Sequence, residues 1–64
     1  MDVLNQGTVV AFYTETDEER QWVDENVELE DWQRLGGMGF AVEHRCAGPL
    51  IEGLQAEGFT MNLL

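Results

Sequence analysis

Residues 29–45 read LEDWQRLGGMGFAVEHR, and the fold turns on how this stretch is divided. Its second half alternates. Met38, Phe40, Val42 and His44 fall on one side of an extended chain, with Gly39, Ala41, Glu43 and Arg45 on the other, which is the period of a strand with one buried face. Gly36-Gly37 before it is a hairpin signal, because both turn positions can take positive φ without a Cβ clash. The first half supports two readings. Paired through the glycines it is the partner strand of a hairpin, yet Leu29, Trp32 and Leu35 also recur at helical spacing. Residues 29–35 are read as the first strand of that hairpin, with a helix as the open alternative.

Upstream, Gly7 precedes TVVAFYT (residues 8–14), whose β-branched and aromatic content predicts a strand. Thr16 and Glu19 have the spacing of a capping box, and Asp17 and Glu18 fall in the first turn, where the helix dipole favours negative charge. A helix is predicted from there to about Asn26, with Trp22 and Val23 turned inward and Arg20 in reach of Asp17 and Asp24. Downstream, Pro49 suits the first turn of a second helix, LIEGLQAE, with Leu50, Ile51 and Leu54 as its apolar stripe and Gly58 as its cap. Gly53 weakens that helix by roughly 1 kcal/mol relative to Ala. FTMNLL (residues 59–64) alternates Phe59, Met61 and Leu63 and predicts a closing strand.

The resulting order, β-α-β-β-α-β, predicts a small α+β fold, ferredoxin-like or a reduced variant, with an antiparallel sheet and both helices on one face. Residues 1–64 are expected to make a single domain with one small core, since a chain this short buries only about 60% of its unfolded surface. The uncovered sheet face would carry one side of the first predicted strand, either Val9, Ala11 and Tyr13 or Val10 and Phe12. An open apolar face of that kind predicts pairing, and a homodimer through it is the alternative to any function carried by charge.

Charge is the strongest bias in the chain. Thirteen acidic residues face three basic ones, for a net charge of −10, and there is no lysine. Nine of the thirteen acids lie between Glu15 and Asp31, against Arg20 alone, so the charge is a patch. Helix capping explains Asp17, Glu18 and Glu19. It does not explain Asp24 and Glu25 at the negative end of the helix dipole, nor Glu28, Glu30 and Asp31 beyond it. On a helix Asp17 and Asp24, or Glu18 and Glu25, stand about 10.5 Å apart along one side, and DNA carries a phosphate about every 3.4 Å of axis on each strand. Rows of carboxylates on that scale suit a groove of Lys and Arg built for nucleic acid. Glu15, Asp17, Glu18, Asp24, Glu25, Glu28, Glu30 and Asp31 are the candidate partner-binding residues, and the expected partner is a basic, DNA-binding protein or complex.

The same charge argues against direct binding to nucleic acid, whose affinity comes from Lys and Arg displacing counterions, and against anionic membrane surfaces. A lone Cys46 allows no internal disulfide, and no charged and apolar leader opens the chain, so the cytoplasm is the expected compartment. No cofactor or metal is expected. The acidic run contains no Gly for a calcium loop, and one His with one Cys does not make a zinc site. His44 and Cys46, two apart, could share the face of a strand as a nucleophile pair, but nothing completes a triad, and the chain is read as not an enzyme. Trp22 and Trp32 flank the acidic run and read first as core, second as interface anchors.

Two stretches, TDEERQWVDEN (residues 16–26) and EHRCAGPLIEGLQAEGF (residues 43–59), resemble short phage proteins with a TxxxRxWxxEN helix start and an EHR segment followed by LIxGLQxxGF. In size and acidity the chain is similar to the small proteins of bacteriophages and mobile elements that include anti-CRISPR inhibitors and anti-restriction DNA mimics. The resemblance implies a non-enzymatic inhibitor in the bacterial host cytoplasm. Its partner would be a type I CRISPR surveillance complex, bound at its DNA-entry or motif-reading surface.

Overall fold

The computed structural model describes residues 1–36 and 38–64, which form a four-stranded sheet and two helices. The strands are β1 (Asp2–Asn5), β2 (Val9–Tyr13), β3 (Gly39–Glu43) and β4 (Asn62–Leu63). The helices are α1 (Asp17–Asn26) and α2 (His44–Ala56), and a short 3₁₀ turn, Asp31–Gln33, joins α1 to β3. The class is the α+β arrangement that the sequence predicts, broadly consistent with β-α-β-β-α-β, but its parts are redistributed.

The strands stand in the order β3-β2-β1-β4. The pairs β1–β2 and β2–β3 are antiparallel and β1–β4 is parallel, so the sheet predicted as antiparallel is mixed at one edge. The cause is β1, which has no element in the sequence reading. Four residues with two apolar side chains show no period, and β1 exists because β2 offers it a ladder. A tight turn joins them: Gly7 has φ of 89°, its N–H donates to Asn5 Oδ1 at 2.9 Å, and the Gln6 N–H donates to the Val9 carbonyl at 2.9 Å. With β1 and β3 both antiparallel to β2, the helical crossover from β3 through α2 brings β4 back parallel to β1.

The open choice at residues 29–35 resolves as neither a full strand nor an α-helix. Glu30 N–H donates to Gln33 Oε1 at 2.8 Å and Gln33 N–H to the Glu30 carbonyl at 3.0 Å, which closes the 3₁₀ turn. Only then does the chain pair with β3, through an isolated bridge of Arg34 with Phe40 and a 2.9 Å bond from Leu35 N–H to the Gly39 carbonyl. Of the Gly-Gly signal, Gly36 has φ of 75°, as a turn glycine should, and Gly37 lies outside the described residues.

One side of the sheet makes the core. Cross-strand partners Val3, Phe12 and Phe40 form one rung and Val10 and Val42 the next, packed with Met1, Val23 of α1, and Ala47 and Leu54 of α2. The Phe12 and Phe40 rings stack with centroids 5.1 Å apart. Fully burying a side chain such as Phe12 contributes on the order of 1.5–3 kcal/mol. Both helices contribute to this one cluster, so they share a sheet face; Leu4, Val9, Ala11, Tyr13 and Ala41 point the other way.

The second helix begins five residues earlier than predicted. Strand β3 runs straight into α2 at His44, whose N–H donates to the Thr8 carbonyl at 2.9 Å, and Pro49 lies inside the helix. An interior proline removes one backbone bond and costs about 3 kcal/mol, so local preference favours a start at Pro49. The turn before Pro49 is nonetheless helical and places Ala47 in the core. The carboxyl end is as predicted. Gly58 has φ of 90°, its N–H donates to the Gln55 carbonyl at 2.9 Å and the Phe59 N–H to the Leu54 carbonyl at 3.1 Å, a Schellman cap.

Candidate functional site

The acidic run begins where the predicted capping box is built. Thr16 caps α1, accepting from Glu19 N–H at 3.2 Å, while Glu19 Oε1 accepts from the N–H of Glu15 at 2.7 Å and of Thr16 at 3.1 Å. Glu19 Oε2 lies 3.0 Å from the ammonium of Met1, which also donates to the Thr60 carbonyl at 2.9 Å. Burial alone would raise the Glu19 carboxyl. The Glu15 N–H, the ammonium and the Thr16 N–H outweigh it and hold the group below its ordinary value. Glu15 joins the same cluster, 3.6 Å from the ammonium and accepting from Asn62 Nδ2 at 3.2 Å. This end of the patch is tied into the fold, joining α1 to the starts of β1 and β4.

The other acids point to solvent. With Glu19 and Val23 buried, a rotation of about 100° per residue sets Asp17, Glu18, Asp24 and Glu25 in a sector roughly 120° wide on the opposite side of α1. All eight candidate residues are exposed, and α1 has no basic residue in its last turn. Among the described residues the carboxylates of Asp17, Glu18, Glu28 and Asp31 have no hydrogen-bond or ion-pair partner within the protein. Glu25 accepts from Gln21 Nε2 at 3.1 Å. Asp24 lies 3.6 Å from Arg34, a pair that sequence spacing does not suggest, because the Arg34–Phe40 bridge is what turns Arg34 toward α1. Arg20, expected to pair along the helix, lines with Asp24 and Arg34 a shallow recess above Val23. Positive charge is therefore gathered beside Asp24. The side bearing Glu18 and Glu25 and the loop from Glu28 to Asp31 carry none.

Neither tryptophan can be assigned by its place in the sequence. Trp22 packs on the core edge-on to Phe59, with ring centroids 6.4 Å apart, and its indole lies over Gly53. Trp32 is 64% exposed, which corrects its reading as core. It rides on the 3₁₀ turn that leads into the bridge with β3.

His44 and Cys46 are corrected as well. Both lie in α2 and both are exposed, and residues two apart on a helix point about 200° apart, so they do not share the face a strand would have given them. Among the described residues no three His, Cys, Asp or Glu side chains converge on a point where a metal ion could sit. No helix is long and apolar enough to cross a membrane among the described residues. Comparison with protein-family models, with curated proteins and with solved structures finds no match to this chain.

Proposed function

We propose that this chain is a non-enzymatic inhibitor that occupies a basic, nucleic-acid-binding surface of a partner protein as a DNA mimic. The observation that carries the reading is the outward sector of α1 continued by residues 28–31, where exposed carboxylates outnumber nearby cations although their own helix end is disfavoured by them. A row of fixed anions speeds association with a cationic groove, and salt screens it. The partner implied by the resemblance of residues 16–26 and 43–59 is a type I CRISPR surveillance complex, in the cytoplasm of a phage-infected bacterium. The decisive experiment is displacement of duplex DNA from that complex at low and moderate salt. Salt-sensitive displacement, lost when Asp17, Glu18, Asp24, Glu25, Glu28, Glu30 and Asp31 become amides, is the expected result. An amide variant that competes as well as the original sinks the mimicry.

A second reading rests on the sheet face away from the helices, where half-buried Leu4 and Val9 and exposed Tyr13 stand around the buried Ala11 and Ala41. A homodimer through that face would leave the acids as its solubilising exterior. Sedimentation separates the two: a tight dimer indifferent to salt, whose disruption by Val9→Lys abolishes function while the amide variant keeps it, favours the dimer.

A further inference from the structure

Trp32 is an expense that the fold does not explain. In a chain short of core, one of two indoles is left 64% exposed, outside the core cluster and, among the described residues, in no aromatic pair. The turn that carries it is nonetheless firmly built. Beyond its own two bonds between Glu30 and Gln33, Gln33 Nε2 donates to the Ala41 carbonyl at 3.1 Å, and Arg34 is held by β3 on one side and Asp24 on the other. The main chain that presents the ring is thus held in place before a partner arrives, so little backbone freedom is lost on contact.

Its surroundings state what would fit. Asp31 is next to it in the chain and Glu30 and Glu28 lie within four residues, all exposed, while Arg34 is committed to Asp24. An exposed indole on a turn whose neighbours in the chain are exposed carboxylates suits a cation that is also flat. A guanidinium stacks on the ring and offers a planar fork of N–H donors to a carboxylate, whereas an ammonium is compact, strongly hydrated and cannot stack. We propose that Trp32, with Glu28, Glu30 and Asp31, is an arginine-reading element, which takes a guanidinium from an arginine-rich protein surface as a stacked base beside phosphates would. The assignment rests on the reading of the acidic patch as a ligand for a basic partner, and adds which basic side chain it selects.

The test uses fluorescein-labelled nona-arginine and nona-lysine peptides, titrated at one moderate salt concentration and followed by anisotropy. The intact protein is expected to prefer the arginine peptide by about two- to fivefold, the size of an exposed cation–π contact. Trp32→Leu keeps apolar area but has no π face, and should lose most of the arginine preference, with its arginine affinity falling more than its lysine affinity. Trp32→Phe should retain part of the preference, and E28Q/E30Q/D31N should weaken both peptides. Equal affinity of the intact protein for the two peptides, or an arginine preference undiminished in Trp32→Leu, overturns the assignment. So does a Trp32→Leu variant that displaces DNA as well as the original, and that result leaves mimicry by the remaining acids standing. An arginine preference dependent on Trp32 in a protein that displaces no DNA would support the element and refute the mimicry.

Discussion

The two ends of the acidic stretch contain the same kind of residue and use it in opposite ways. At the start of α1, Glu19 accepts two backbone N–H groups and faces the Met1 ammonium, so its negative charge is built into the fold. From Asp24 to Asp31 the acids occupy and follow the carbonyl end of the helix, whose last turn has no basic residue, and among the described residues only Asp24 finds an arginine. Unpaired N–H groups occur at the beginning of a helix and unpaired carbonyls at its end, so acids of equal number stabilise one end and strain the other. Charge density alone therefore does not report stabilising charge. Each tryptophan follows the same division: Trp22 inside the structural part, Trp32 outside it.

The largest effect should come from testing that division with the tryptophans. Trp22→Ala removes an indole that bridges α1, Gly53 and Phe59 and is expected to lower unfolding free energy by about 3 kcal/mol, while Trp32→Ala changes it by less than about 0.5 kcal/mol, both read by urea denaturation. Similar losses for the two would erase the distinction. Next is Glu19→Gln, which leaves the buried ammonium with only the exposed Glu15 carboxylate, 3.6 Å away, and should cost about 2 kcal/mol at neutral pH. Because the folded group is held below its ordinary value of 4.5, the advantage of the original over this variant is fully present above that pH and is lost as pH falls through the folded value. Denaturation midpoints of the two proteins should converge in acid, and a constant gap would mean that the ion pair is not the source.

Gly53→Ala sharpens the packing side of the comparison. The added Cβ would meet the Trp22 indole at 3.6 Å, an ordinary contact, so better helix propensity should raise stability by about 1 kcal/mol. A fall in melting temperature would show Trp22 seated more tightly than that distance implies. The smallest effect belongs to the far end. Glu25→Lys places a cation at the carbonyl end of α1 and should stabilise by a few tenths of a kcal/mol while weakening salt-dependent binding to basic surfaces. Loss of stability there would contradict the view that these acids strain their own helix.

Much of this was legible in residues whose signals are local. The box of Thr16 and Glu19 and the Schellman glycine Gly58 mark helix ends through bonds made within one turn, and the alternation of Phe40 and Val42 marks a buried strand face. The acids of the candidate site are exposed as their clustering suggested. Illegible were the elements that depend on distant chain. Strand β1 is too short to show a period, the start of α2 contradicts Pro49, and Arg34 meets Asp24 only because β3 holds it there.

By itself, then, the amino-acid sequence determined the class of fold, the span of α1, the carboxyl end of α2 and the concentration of negative charge. Each follows from spacing, propensity or composition within a few residues. Only the tertiary structure decided that β1 joins the sheet and makes it mixed, and that α2 starts at His44. It also decided which tryptophan is core and which acids are internal structure. Those outcomes depend on which backbone groups and apolar surfaces meet across the whole chain, and a partner sixty residues away, as Asn62 is to Asp2, leaves no trace in local order.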